Sequence, residues 1–307
     1  MSDGVKNLLS ADDLLPPGFM KKLDRLRMTS RQVRPGASMG ERISRARGAG
    51  MEFADHKEYS PGDDFRRIDW NVYARLDQFV VRIYETEENL GVTILLDASA
   101  SMDFPSGPGC VGAKWATAAR LAAALGYVAL ANRDALTIFP FSDKPHRRYD
   151  ALRGRGHLRE MLDLLGANVP GGRSDFSAAL RGAGMQVHRP GVCFVISDFC
   201  ASGNLGEAIE GLVYYGHEVA AVHVVDPLEA DPGLEGEVDV EDAETGELIP
   251  VTVRGDTARR YGEAFEKRCH AIAAACATYD AKYLRVSTAD SVENVVLGPL
   301  RREGMVE

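Results

Sequence analysis

Apolar residues fall into two alternating patterns along much of the chain. Residues 92–96, apolar but for Thr93, and 192–196 are short apolar runs, the pattern of strands buried on both faces. Residues 135–141, 218–225 and 283–286 read as three more strands. Between them, helical spacing recurs over 114–133, 158–165, 175–187, 205–215, about 256–280 and 292–300. Strand and helix in alternation, with the strands buried, predict an α/β domain with a largely parallel sheet flanked by helices.

The flanking segments break this rhythm. Residues 1–30 read as a loosely structured arm leading into a helix, with Phe19, Leu23 and Leu26 at helical spacing after Pro16-Pro17-Gly18. Residues 31–50 are basic, rich in Gly and Ser, and read as loop. Residues 79–85 alternate as a strand, which this N-terminal segment is expected to add to the fold. Late in the chain, 238–240 and 247–249 flank Glu244-Thr245-Gly246 and predict a β-hairpin. The expected division is therefore 1–88, an N-terminal basic arm and signature segment, and 89–307, the α/β domain. An acidic hairpin is inserted in the second part at about 226–253.

Charge sharpens this division. The 307 residues carry a net charge of −9, which argues against a general polyanion binder and makes nucleic acid an unexpected partner. Residues 21–47, however, hold nine basic and two acidic side chains, while 226–247 hold ten acidic ones and no Lys or Arg. No apolar stretch is long enough to span a membrane, which needs about 20 residues. The five cysteines (Cys110, Cys193, Cys200, Cys269, Cys276) show no CxxC spacing and read as reduced thiols, so the expected location is cytoplasmic.

The chemistry concentrates at strand ends. The first buried run leads into Asp97-Ala98-Ser99-Ala100-Ser101, a DxSxS at the carboxyl edge of a parallel sheet, where open α/β sheets bind ligands. Gly171-Gly172-Arg173-Ser174-Asp175 and Ile196-Ser197-Asp198 should emerge on the same edge, so that Asp97, Ser99, Ser101, Ser174 and Asp198 converge. An oxygen-rich set of this kind suits a hard cation such as Mg²⁺, with Mn²⁺ or Ca²⁺ as alternatives. Two other matches fall short. Gly36-Ala37-Ser38-Met39-Gly40 has no buried strand before it, as a nucleophile elbow requires. Gly107 to Lys114 approaches a P-loop with its Lys one residue late and Trp115 in place of Ser/Thr.

These three loops, in this order, resemble the metal-ion-dependent adhesion site of von Willebrand factor A domains. The resemblance spans 91–225 and implies a Rossmann-like, mostly parallel sheet. It implies Ser99, Ser101 and Ser174 in contact with the ion, and Asp97 and Asp198 acting mainly through water. An acidic side chain of a partner would complete the coordination. Ser174 stands where Thr is commoner. Upstream, Tyr59-x-x-Gly62-Asp63-Asp64-x-Arg66-x-Ile68-Asp69-Trp70, followed by Ala74-Arg75, is similar to the signature of a bacterial family known only as a domain of unknown function, family fifty-eight. Its members carry a von Willebrand A-like domain and typically accompany MoxR-type AAA+ ATPases.

The expectation is thus a non-enzymatic, metal-dependent interaction module or adaptor, partnering a MoxR-type ATPase or other von Willebrand A-like proteins. The competing expectation is a metal-assisted hydrolase using Asp97 and Asp198, for which the three loops offer no histidine. A third holds the site empty and the basic arm active.

Overall fold

The computed structural model describes residues 9–30, 52–60, 63, 65–85, 90–105, 112–143, 146–173, 176, 190–200 and 203–307. The chain divides into two compact units, one of residues 33–89 and one of residues 1–32 with 90–307.

In the smaller unit, β1 (Glu52–Glu58) pairs antiparallel with β2 (Val80–Glu85). The strand expected over 79–85 therefore belongs to a two-stranded sheet of its own and does not extend the central one. Asp69 starts the Trp70–Leu76 helix, its carboxylate accepting from the backbone N–H of Asn71 (2.9 Å) and Val72 (3.4 Å). Lys57 pairs with Asp63 at 3.2 Å, and Tyr73 stacks on Phe79 with ring centroids 4.4 Å apart. Asp69 and Asp63 of the signature thus serve as a helix cap and an ion-paired turn, while Asp64 lies outside the described residues.

The larger unit is built on a mixed α/β sheet in the order β10-β7-β6-β3-β4-β5. Its strands are β3 (Gly91–Asp97), β4 (Ala135–Phe141), β5 (Tyr149–Leu152), β6 (Gly191–Ser197), β7 (His217–Val225) and β10 (Lys282–Ser287). All pair in parallel except the edge strand β5, which runs antiparallel to β4. A separate antiparallel ribbon, β8 (Gly236–Glu241) with β9 (Leu248–Val253), is the hairpin expected from the sequence.

Both faces of the sheet are covered, as the apolar runs of β3 and β6 require. Leu95, Cys193, Val195, Val219 and Ala221 pack with Ile209 and Leu212 of the Leu205–Tyr214 helix and with Ile272 and Cys276 of the Gly255–Thr278 helix. Alternate residues of the same strands face the other way, where the Ala-rich Ala113–Ala131 helix packs. Burial pushes the Cys276 thiol up to about 11, and that of Cys193 higher still. Among the described residues no helix is long and apolar enough to cross a membrane.

Residues 9–30 depart from the expected loose arm. Ala11–Leu14 and Pro17–Leu23 are helical, and Leu14, Leu15, Phe19, Leu23 and Leu26 are all buried. The Tyr127 hydroxyl donates to Asp24 (2.6 Å) and the Asn132 amide to the Leu26 carbonyl (2.9 Å). Arg27 and Glu307 exchange backbone hydrogen bonds, tying this segment to the C-terminus. Burial of five large apolar side chains outweighs the ordering cost that a polar arm could not offset. The helix expected over 175–187 lies outside the described residues except for Phe176, which is buried.

The start of β3 is held by a buried carboxylate. Asp134 accepts from the Leu90 backbone N–H at 3.1 Å. Burial pushes its pKa up to about 6, against the opposing pull of that N–H and of Arg153. A carboxyl raised in the folded state stabilises fully below its unfolded value and loses that contribution as pH rises to the folded one. Asp134→Asn keeps an acceptor for Leu90 and removes the charge. It should be more stable than wild type by about 2 kcal/mol at pH 7.5, with the gain vanishing below about pH 4. Urea unfolding at both pH values checks this, and a pH-independent difference would refute it.

Candidate metal centre at the sheet switch point

The chain runs from β3 outward through β4 to β5, then returns to place β6 on the other side of β3. The carboxyl ends of β3 and β6 therefore flank a topological switch point, where open α/β sheets bind ligands. Asp97 ends β3 and Asp198 follows β6, and both are buried.

The DxSxS loop is fixed by backbone bonds to its neighbours. Ala98 N–H donates to the Phe141 carbonyl (3.0 Å), Gly171 N–H to Ala98 (2.8 Å) and Ala100 N–H to Gly172 (2.9 Å). The Gly171-Gly172-Arg173 loop is thus laid against the DxSxS loop, as expected. Ser174 itself lies outside the described residues. Asp97 Oδ1 accepts from Ser99 N–H (2.9 Å) and Oδ2 from the Ser197 hydroxyl (2.6 Å), whose oxygen in turn accepts from Phe199 N–H (2.8 Å). Asp198 Oδ1 accepts from Cys200 N–H (2.9 Å), and the Ser101 hydroxyl also bonds this carboxylate. Asp97, Ser99, Ser101 and Asp198 are therefore brought together.

The Ser99 and Ser101 hydroxyls hydrogen-bond to each other, their oxygens 3.0 Å apart. In an octahedral Mg²⁺ site with metal–oxygen bonds of about 2.1 Å, neighbouring ligand oxygens are about 3.0 Å apart. Two hydroxyls at that spacing, backed by two buried carboxylates, fit a hard divalent cation.

The family model described as "Protein of unknown function DUF58" matches residues 55–272. The chain belongs to this family. Two mycobacterial relatives, Uncharacterized protein Rv1480 of Mycobacterium tuberculosis (strain H37Rv) and Uncharacterized protein Mb1516 of Mycobacterium bovis, are each 31% identical over 255 residues. That match covers 80% of this chain and 79% of theirs. Among solved structures, the conserved hypothetical protein BatB from Bacteroides thetaiotaomicron aligns with a TM-score of 0.41 at 16% identity, covering 70% of this chain and 98% of that one. An aerotolerance-related membrane protein from Bacteroides fragilis aligns with a TM-score of 0.41 at 17% identity over the same shares.

In this DUF58 chain the centre contains a cation that sequence reasoning passed over. Lys114, in the first turn of the Ala113–Ala131 helix, is buried, and its Nζ lies 2.7 Å from Asp198 Oδ2 and 2.6 Å from Glu229 Oε1. Burial alone would lower its pKa, but the two carboxylates outweigh it and hold the ammonium protonated. Lys114 is the residue of the near-P-loop match, and its side chain is committed to this ion pair. Arg268 donates to the Asp198 carbonyl (3.2 Å) and to Cys200 Sγ (2.9 Å). Ligand atoms of Asp198, Cys200 and Glu229 lie within 4.8 Å of one another, and Lys114 already bonds two of the three.

The two aspartates are unequal. Burial pushes the Asp97 carboxyl up to about 6, with the Asp198 charge adding to the effect. Burial also acts to raise Asp198, but the Lys114 ammonium overrides it and the group stays below the usual carboxylate range. His223, buried and edge-on to the Phe199 ring, is pushed down to about 4, mainly by burial and further by Arg268, so it is neutral at pH 7. Its Nδ1 bonds the Tyr283 hydroxyl at 2.8 Å.

The signal that could have found Lys114 is its place as the one charge at the head of an Ala-rich run. Glu229 gave none beyond its membership of an acidic stretch. Removing one partner of a buried ion pair leaves the others uncompensated. Lys114→Met should therefore lower stability by about 3–5 kcal/mol in urea unfolding at pH 7. A variant within about 1 kcal/mol of wild type would show that the ammonium does not hold this edge together.

Proposed function

We propose that this protein is a non-enzymatic, divalent-metal-dependent interaction module with a von Willebrand factor A-like fold. It acts as a cytoplasmic adaptor for a MoxR-type AAA+ ATPase in assembling or remodelling protein complexes. The observation that carries this reading is the pair of Ser99 and Ser101 hydroxyls, 3.0 Å apart and flanked by Asp97 and Asp198 at the switch point. The ATPase partner rests on the resemblance of the Tyr59–Trp70 signature, and the cytoplasmic setting on the free thiols of Cys193, Cys200, Cys269 and Cys276.

In this reading Ser99 and Ser101 contact Mg²⁺ directly, while Asp97 and Asp198 supply charge behind them; Mn²⁺ or Ca²⁺ are the alternatives. Bound metal would supply a site for an acidic side chain of the partner. Asp97 is held from two sides, by Ser99 N–H and the Ser197 hydroxyl, so its direction is set before any ligand arrives. The rival hydrolase draws no support from these groups. Ser197 is buried and already donates to Asp97, and the neighbouring imidazole of His223 is tied to Tyr283.

Calorimetric titration with Mg²⁺ and Mn²⁺ should give one binding event in wild type. Asp97→Asn, which keeps an acceptor for Ser99 N–H but replaces the oxygen facing the Ser197 hydroxyl with an NH2 and removes the charge, should weaken it at least about tenfold. The same variant should lose metal-dependent binding to the purified ATPase while keeping its thermal unfolding transition. Partner binding unchanged in Asp97→Asn, or in excess chelator, would refute the reading. Phosphatase or peptidase turnover lost in that variant would favour the hydrolase.

A further inference from the structure

Among the described residues, the β8–β9 ribbon leaves an apolar face uncovered. Its register pairs Val238 with Val251 and Val240 with Ile249, so these four side chains share one face. Glu237, Asp239 and Glu241 project from the other. No residue of 236–253 is buried, and Val240 and Ile249 are 43% and 50% exposed. The two strands pair only with each other, and a lone two-stranded ribbon is marginally stable in water. An exposed apolar face rimmed by charge marks an interaction surface.

The two outer edges of the ribbon differ. Asp242 N–H donates to the Glu247 carbonyl at 2.9 Å. Bonded and non-bonded pairs alternate along an antiparallel ladder. Counting from this bond puts Val240–Ile249 and Val238–Val251 in bonded pairs. Glu241–Leu248, Asp239–Pro250 and Glu237–Thr252 are the non-bonded pairs, whose backbone groups turn outward. Pro250 suits this place, since it has no N–H to give the ladder, and it removes the central donor from the outer edge of β9. The outer edge of β8 keeps its donors at Glu237, Asp239 and Glu241. β8 is therefore the edge able to accept a further strand.

Charge decides which strand. Residues 226–247 hold ten acidic side chains and no Lys or Arg. A strand added at β8 sets its alternate side chains beside Glu237, Asp239 and Glu241 on one face, and beside Val238 and Val240 on the other. Like charges directly opposite one another destabilise a sheet. A second copy of β8 is thus disfavoured, and a basic strand is favoured.

We propose that the outer edge of β8 docks an extended segment of a partner protein in which basic and apolar residues alternate, turning the ribbon into a three-stranded sheet. Backbone hydrogen bonds to Glu237, Asp239 and Glu241 supply affinity, and the two unlike faces supply selectivity. The partner's apolar residues extend the valine face, and its Lys or Arg side chains meet the carboxylates. This surface goes beyond the metal-dependent reading and stands whether or not the candidate centre binds an ion.

The probe is a fluorescent peptide of about eight residues alternating Lys and Val, titrated into the full chain by anisotropy. Wild type should bind it, more weakly as salt rises, with amide hydrogen exchange slowed at Glu237, Asp239 and Glu241. A peptide of the same composition, with its lysines and valines in two blocks, should bind at least about tenfold more weakly. Asp239→Pro removes the central donor of the β8 edge, and Thr252→Pro removes a donor of the β9 edge. Both lie at non-bonded pairs, so the ladder within the ribbon is kept. The first should lose about tenfold or more in affinity, and the second should bind as wild type does. Combining Glu237→Gln, Asp239→Asn and Glu241→Gln should weaken binding and remove most of its salt dependence. No binding by wild type, or equal binding of the two peptides, would overturn the inference. So would equal losses in the two proline variants, or binding that leaves the β8 amides unprotected. Self-association of the chain that Asp239→Pro abolishes would make a second copy the occupant and overturn it too.

Discussion

The Lys114 ammonium, enclosed between Asp198 and Glu229, is the interaction on which the functional edge of this fold depends. A buried ammonium left unpaired costs several kcal/mol, so the segments that supply its partners cannot drift apart cheaply. Those segments are the head of the Ala113–Ala131 helix, the turn after β6 and the Pro227–Ala230 helix. The backbone fixes Lys114 as firmly as its side chain does. Its N–H donates to the Phe104 carbonyl at 3.0 Å, and Gly112 N–H donates to Asp103 Oδ1 at 2.8 Å. A Cβ on Gly112 would lie 2.2 Å from the Asp103 carbonyl carbon. Glycine is thus required for the helix to begin directly against the loop that follows Ser101.

This arrangement makes two neighbouring aspartates chemically different. Lys114 holds Asp198 ionised, whereas Asp97, buried and facing the Asp198 charge, is pushed up to about 6. Two carboxylates in one low-dielectric space are tolerated when one is neutralised by a fixed cation and the other by a proton or a second cation. One monovalent charge from the protein satisfies half of the pair. In the proposed function a divalent ion satisfies the rest, which explains why hydroxyls rather than further carboxylates line the approach.

How much of this was legible follows from what each signal encodes. Strands β3 and β6 were plain because a parallel strand covered on both faces is apolar at nearly every position, Thr93 being the one polar residue inside either run. The edge strand β5 was not, because it exposes Asp150 and Ala151 and has no periodicity to recognise. The helices over 11–23 were legible only as a stripe of Phe19, Leu23 and Leu26, since their order comes from packing on a distant helix. At the centre, Asp97, Ser99, Ser101 and Asp198 could be read from motif and strand position. For Lys114 the sequence offers only its place at the head of an Ala-rich run: its partners lie 84 and 115 positions along the chain, and no local pattern records such a pairing.

The uneven charge of the chain takes on a definite meaning in the same terms. Its basic stretch and acidic stretch could have neutralised each other, yet the described residues find other partners. Lys22 pairs with Glu293 at 2.5 Å, and Glu229 pairs with Lys114. Along the hairpin the strand alternation places Val238, Val240, Ile249 and Val251 on one face and Glu237, Asp239 and Glu241 on the other. A two-stranded ribbon with no sheet behind it is marginally stable on its own. Its acidic face gains nothing from burial, so what orders it must act at its ends. Lys114 does so at the root through Glu229, and Asp242 closes the tip by accepting from the Glu244 and Thr245 N–H groups. Lys114 also pairs with Asp198, so the placement of the ribbon's root and the electrostatics of the candidate centre depend on the same charge.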